Sequence, residues 1–377
     1  MEKTISSNQA SLILCIFTIA LKLSALPTIM FTYSGNDCYV ACAIALAIDF
    51  ICTIIIVNIM HKHPDHTFHQ FLKEGIGKIA TIIIEVVLLI YFLMKVVLVI
   101  QELHDYFIAT LFEELNPILF IVVISLLLFF CSTKNFRTIG RVAQMIFWPT
   151  LIGVTFTLIF PIEDIQVEKL LPILEQGPHL IYKSIARTTF AFGDFMILLP
   201  LMGQVALHRK SKKQILIYMF STINFILNFF VVFVGSFGKY AMSQTLALGE
   251  LPLHNSTPAT IGKLEWLTII VWTIILLVDI IILVITCREV FDNIFSTCGK
   301  KRSSIIISSV ITIIAALTYL RLETIIEIVT TPTFSSISGG IQLLLVILLV
   351  VCNARLNSKQ KRDIPHKVSK TPKETQC

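Results

Sequence analysis

The chain has 377 residues, 55% of them hydrophobic and only 14% Asp, Glu, Lys or Arg, against about 25% charged in an ordinary soluble protein. With 27 phenylalanines and a mean hydropathy of +0.84, so few charges do not keep it in water, which excludes the secreted, disordered and nucleic-acid-binding classes. The net charge of +6 matters through its placement, and the nine scattered cysteines, with no Cys-x-x-Cys pair, match neither a disulfide framework nor a zinc site.

An apolar run of about 20 residues crosses a hydrocarbon core. In chain order, such runs fall at 10–33, 38–60, 79–101, 116–133, 141–161, 182–204, 214–236, 264–286, 303–320 and 337–352. The first lacks a basic leader and a small-residue cleavage site, so it is expected to stay in the mature protein. No gap between runs exceeds thirty residues, leaving no room for a soluble domain. The loop His61–His69 holds four histidines and Asp65, but their spacing matches no zinc pattern and reads as loop scaffolding. The longest outer loops are 162–181 and 237–263. The second carries Gly249, Pro252 and Pro258, and reads either as a lid over an outer vestibule or as a plain long loop. The stretch 353–377 is polar and basic, with Pro365 and Pro372, and is expected to be a disordered tail near anionic headgroups.

Of the 30 Lys and Arg, 22 lie at the two termini and in the loops after even-numbered spans, while 5 lie in the loops after odd-numbered ones. The positive-inside rule then places both termini in the cytoplasm and requires an even number of spans.

Two spans carry helix-breaking or polar residues near mid-membrane. Span 1 reads ALKLSALP, with Lys22, Ser24 and Pro27, and span 6 reads RTTFAFGDFMILLP, with Gly193, Asp194 and Pro200. Lys22 and Asp194 each lie roughly 18 Å into their spans at the α-helical rise. Proline removes a backbone donor, and in lipid a freed carbonyl must be met by protein, water, ion or ligand. Interrupted helices in corresponding positions of two halves are a pointer to a transporter-type site. The expected fold is therefore all-α and polytopic, ten transmembrane helices in a 5+5 inverted repeat with helices 1 and 6 broken (LeuT-like). The repeat is inferred from topology alone.

Four stretches resemble the spore germination permeases, the B subunits of nutrient germinant receptors within the amino acid–polyamine–organocation superfamily. They are ISSNQASLI at the start, HPDHTFHQFLKEGIGK in the first cytoplasmic loop, FAFGDF at the span-6 break and KLEWLTIIVW opening span 8. The chain departs from that family's pattern at Asp194, where Glu is usual, at Lys263 and Glu265, where Arg and Asp are usual, and in lacking glycines at the span-1 break.

Ionisable residues inside spans are functional candidates by default. Here they are Lys22, Asp49, Glu85, Lys95, Arg187, Asp194 and Asp279. Lys95, read toward the outer end of span 3, suits snorkelling. Arg187 either steers an anion inward or pairs with the acidic outer loops. Asp49, Glu85 and Asp279 read as ion or proton ligands or as partners of basic residues. Lys22 and Asp194 either receive the carboxylate and ammonium of a zwitterion or neutralise each other. A lysine at this break also stands in for a sodium ion. The expected ligand-binding set is Lys22, Ser24, Gly193 and Asp194 with Tyr91 of span 3 and Glu265 of span 8. No histidine lies deep in a span, and no GxSxG, HExxH or P-loop signature is present, so no enzyme, cofactor or metal is expected.

The resemblance implies an amino-acid-sensing B subunit in the spore inner membrane or cell membrane, working with an A subunit and a lipoprotein C subunit. The rival is a proton-coupled amino acid permease, which needs the same pocket. The topology is tested by reporter fusions: at Cys377 the reporter is expected in the cytoplasm, and after Ser34 or Gly249 outside. An external signal from the C-terminal fusion rejects the ten-span arrangement.

Overall fold

The computed structural model describes residues 5–112, 114–159, 165–171, 173–174, 177–208, 210–251, 264–295, 299–320 and 325–367, without the side chains of 264–265, 320 and 359–367. The chain starts with a two-residue strand β1 (Ile5–Ser6) and helix α1 (Ser7–Ala20). The Ser-x-x-Gln at the start is a reciprocal capping box. The Ser6 hydroxyl accepts from the Gln9 amide and the Gln9 side chain accepts from the Ser6 amide, both at 3.2 Å. Residues 21–25 leave the helix, and α2 (Leu26–Ser34) restarts it with Pro27 in its first turn, where a missing N–H costs nothing. These two half-helices occupy the first expected span.

Then follow α3 (Cys38–Lys62), a short amphipathic helix α4 (Phe68–Ile76), α5 (Lys78–Thr110), α6 (Pro117–Ser132) and α7 (Phe136–Ile159). The sixth span is broken again. It comprises α8 (Pro178–Thr188), tight turns around Phe192–Gly193, and the single turn α9 (Leu198–Leu201), followed by β2 (Val205–Ala206). The rest is α10 (Ser211–Phe237), the single turn α11 (Ala247–Glu250), α12 (Leu264–Ile294), α13 (Lys300–Leu320), the short α14 (Ile325–Val329) and α15 (Pro332–Lys367). Among the described residues, eight stretches are long and apolar enough to cross a membrane, Leu26–Lys62 being one of them, and Ser7–Ala20 and Pro117–Ser132 are shorter apolar helices. This is an integral, multi-pass membrane protein.

Helices α5 and α12 pack along one another and, with α1, form the centre of the bundle. α1 also packs on α7 and α10, α2 on α8, and α15 on α3, α4 and α8. β1 pairs in parallel with β2, Ile5 opposite Val205, so the chain start lies beside the end of the broken sixth span. Lateral faces of the bundle carry exposed Ile, Leu, Val and Phe, as lipid contact requires.

Three sequence expectations need correction. α5 continues to Thr110 and α12 to Ile294, well past the expected span ends at 101 and 286. A helix stops at a breaker, and the segment 102–112 has no Gly or Pro, whereas the hydropathy profile stops at the first cluster of polar groups. α15 runs from Pro332 through Lys367, so residues 353–367, read as disordered tail, are helical. Arg355 there donates to the Gly75 carbonyl at 3.1 Å and Asn353 bonds His63 at 3.1 Å, which ties the extension to the α3–α4 loop. Residues 368–377 lie outside the described set.

That loop has a tight fit. Gly203, at φ +79°, would place a Cβ 2.9 Å from the His66 carbonyl oxygen. Both the backbone angle and the contact refuse a side chain. Gly203→Ala is expected to cost roughly 1–3 kcal/mol, seen as a lower melting temperature of the detergent-solubilised protein. An unchanged melt would show that loop and sixth span separate freely.

Candidate functional site

The break in the sixth span lies at Phe192–Gly193, with Gly193 in the left-handed region at φ +83°. A β-carbon there would meet the Gln342 amide group at 2.7 Å and the Tyr91 hydroxyl at 2.9 Å, so only glycine fits. The turn leaves amides and carbonyls without helical partners in the bundle interior, and every one used in the site is met by a side chain. The Asp49 carboxylate accepts from the Gly193 amide at 2.9 and 3.0 Å and from the Asp194 amide at 3.4 Å. The Phe192 carbonyl accepts from Lys95 Nζ at 3.0 Å, the Tyr91 hydroxyl at 3.1 Å and Gln342 Nε2 at 3.3 Å. Gln342 also donates to the Thr189 carbonyl at 3.0 Å and to the Tyr91 hydroxyl at 3.1 Å.

The break in the first span faces this one. Lys22, fully buried, donates to the Ala191 carbonyl at 3.1 Å and to Asp194 Oδ2 at 2.5 Å. Lys95 stands 3.6 Å from the other Asp194 oxygen. Both ammonium groups also lie over aromatic faces, Lys22 5.1 Å from the Phe192 centroid and Lys95 4.9 Å from that of Phe17. The two carboxylates Asp49 and Asp194 thus meet two ammonium groups and two backbone amides. Lys22 and Asp194 contact each other directly across the two breaks.

The first-span break is closed from the other side. The Leu23 and Ser24 carbonyls accept from the Leu248 and Ala247 amides at 3.2 and 3.1 Å. These are the first two residues of α11, whose N-terminal amides are free to serve as donors. Glu250 holds that turn by accepting from the Thr245 and Leu246 amides at 2.8 and 3.3 Å. The lid expected at 249–258 is described only as far as Leu251, and the residues that reach the break come just before Gly249.

The remaining sequence candidates separate. Ser24 belongs to the break through its carbonyl, while its buried hydroxyl has no partner. Lys95 does not snorkel: α5 extends far enough that it sits mid-helix and buried at the sixth-span break. Glu85 bonds His69 at 3.0 Å and ties α4 to α5, away from the centre. Arg187 donates to the Thr330 carbonyl at 3.3 Å and lies over the Tyr33 ring at 5.4 Å, so it caps the end of α14, and most acids of the outer loop lie outside the described residues. Asp279 is fully buried, with neither carboxylate oxygen hydrogen-bonded. The Glu265 side chain lies outside the described residues. In the histidine-rich loop, His63, His66 and His69 go to Asn353, Glu74 and Glu85 respectively. Sequence reasoning passed over Gln342 and Glu102. The first was legible as an amide inside an apolar span, and the second fell one residue beyond the expected end of span 3.

Two facing broken helices whose freed peptide groups meet at mid-bundle define a transporter-type membrane protein. The solved structure of Mhp1, a nucleobase-cation-symport-1 family transporter in a closed conformation with bromovinylhydantoin bound, matches with a TM-score of 0.61 over 92% of this chain and 78% of that one, at 13% identity. The likeness carries the LeuT-like fold. The family model Spore_permease, described as spore germination protein, matches residues 4–325, and the chain belongs to that family. Spore germination protein YndE of Bacillus subtilis (strain 168) is 22% identical over 217 residues, 56% of this chain. The match spans 59% of that relative's length.

Ala247→Pro removes the amide that meets the Ser24 carbonyl, at a first helical position where proline is otherwise tolerated. Loss of that bond is expected to cost about 1–3 kcal/mol and to loosen α11. A cysteine placed at Ser24 should then react faster with a water-soluble thiol reagent. Equal labelling with and without Ala247→Pro would reject α11 as the closing element.

Proposed function

We propose that the chain is the nutrient-sensing B subunit of a spore germinant receptor, crossing the membrane ten times with both termini in the cytoplasm. In this reading it works with an A subunit and a lipoprotein C subunit. The nutrient is a small zwitterion of the amino-acid type, bound where the two broken helices meet. The observation that carries this is the Lys22–Asp194 pair, a buried ammonium and carboxylate at 2.5 Å on opposite breaks. A zwitterion offers each of them a replacement partner of the right sign, its carboxylate for Lys22 and its ammonium for Asp194. Exchange of one ion pair for two keeps the buried charge balanced, which is the condition for opening such a pair in a low-dielectric interior. Tyr91 and Gln342 hold the break in shape while the pair opens. Family membership supports the germination role. No catalytic constellation is part of this reading.

A proton-coupled amino acid permease would use the same pair. Deletion in the source organism, with germination scored against a nutrient panel, tests the receptor reading; uptake of labelled amino acid by the isolated protein would favour the permease.

The pair itself is tested in the same assay. Asp194→Asn leaves two buried ammonium groups facing one carboxylate and is expected to lower folding yield, a loss of about 3–5 kcal/mol. Adding Lys22→Met restores the yield. In that double variant the effective nutrient concentration should rise by roughly 5- to 150-fold, the equivalent of about 1–3 kcal/mol. Asp194→Glu should be the mildest change. Wild-type abundance together with a wild-type dose–response for Asp194→Asn would refute the role of the pair.

A further inference from the structure

Four carboxyl groups are buried around the centre, Asp49, Glu102, Asp194 and Asp279, against two ammonium groups, Lys22 and Lys95. The first and third are accounted for by the Gly193 and Asp194 amides and by the two lysines. The other two are not. Both oxygens of Asp279 and one oxygen of Glu102 are buried without a hydrogen bond; Asp194 Oδ1 also lacks one but faces Lys95 at 3.6 Å. Asp279 is 0% exposed and Glu102 4%. They sit on α12 and α5, the closest-packed helices of the bundle, within electrostatic reach of each other. An ionised carboxylate in such surroundings is prohibitively costly unless something positive meets it.

Among the described residues, the groups around them do not supply it. Toward the centre stand Lys22 and Lys95, both engaged by Asp194 and by break carbonyls. On α5, Asp105 is bonded by His104, which meets Phe120 of α6 and Tyr319 of α13 edge to face. On α11, Glu250 caps its own turn. Arg187, across a narrow cavity that it lines together with Glu102, is turned to the Thr330 carbonyl and the Tyr33 ring. Among the described residues, no three His, Cys, Asp or Glu side chains converge as a metal site would require. A proton needs no such ligand shell.

We propose that Glu102 and Asp279, buried on the adjoining helices α5 and α12, form a proton-binding carboxyl pair, loaded through the cavity that Glu102 and Arg187 line. Each carboxylate takes one proton and becomes a neutral acid. With both loaded, two lysines face Asp49 and Asp194, and the centre is electrically balanced. Release of a proton from Asp279 leaves a negative charge that competes with Asp194 for Lys95, which links proton occupancy to the sixth-span break. The inference concerns these two residues whether or not a nutrient binds, so it stands or falls apart from the receptor reading.

Infrared spectroscopy of the full-length chain in lipid nanodiscs tests it. The wild-type protein at neutral pH should show the carbonyl stretch of protonated carboxyl groups, lost as the pH is raised. Asp279→Asn and Glu102→Gln should each remove one component. Asn and Gln mimic the neutral acid, so both variants should keep the wild-type melting temperature. Absence of the signal in the wild type, or an unreduced signal in either variant, overturns the pair. A large fall in melting temperature in either variant also overturns it, since the residue would then be charged and partnered. So does a wild-type melting temperature that rises with sodium or potassium and loses that response in Asp279→Asn, because a metal cation would then occupy the site.

Discussion

A peptide chain that leaves the helix inside a membrane has to find partners for its amides and carbonyls without water, and the Phe192–Gly193 turn is where that demand is greatest. Its carbonyl end is met by Lys95, Tyr91 and Gln342, and its amide end by Asp49. These residues come from three different helices, so the turn orders the bundle as much as the bundle orders the turn. Removing one partner leaves a polar group whose desolvation has nothing to offset it. The same demand explains why only glycine fits at 193, where the Gln342 and Tyr91 side chains crowd the space a β-carbon would take.

Charge follows from the same geometry. Breaking two helices at one depth turns peptide dipoles toward a common point, and acids and bases gather there to complete them. Lys22 bridges the breaks by holding the Ala191 carbonyl and the Asp194 carboxylate together. The ion pair is therefore part of the scaffold. A site built this way is closed by its own components. Opening it requires an exchange of partners.

On the face opposite the sixth-span break, the first-span break is held by two amides of α11. On the side of the chain start, β1 lies against β2, and the α3–α4 loop is pressed against Gly203. Closure on both sides thus rests on backbone hydrogen bonds and a steric fit, with few side-chain charges. Such contacts are individually modest, and they are the contacts that a rearrangement of half-helices would exchange.

The composition, the apolar runs and the distribution of Lys and Arg by themselves determined that this is a multi-pass membrane protein, and the pairing of ALKLSALP with RTTFAFGDFMILLP located both broken spans. Those features are local: burial in lipid and loss of a helical hydrogen bond are felt by each residue where it stands. Which side chains meet was not legible in this way. Lys95 read as a snorkelling residue because the hydropathy profile ended span 3 too early, and Glu102 was hidden by the same error. Gln342, 149 positions beyond Gly193 in the chain, and the amides of Ala247 and Leu248 reach the breaks only when distant helices pack. Partner choice in a low-dielectric interior depends on which polar groups arrive within about 3 Å of each other, and only the tertiary structure decides that.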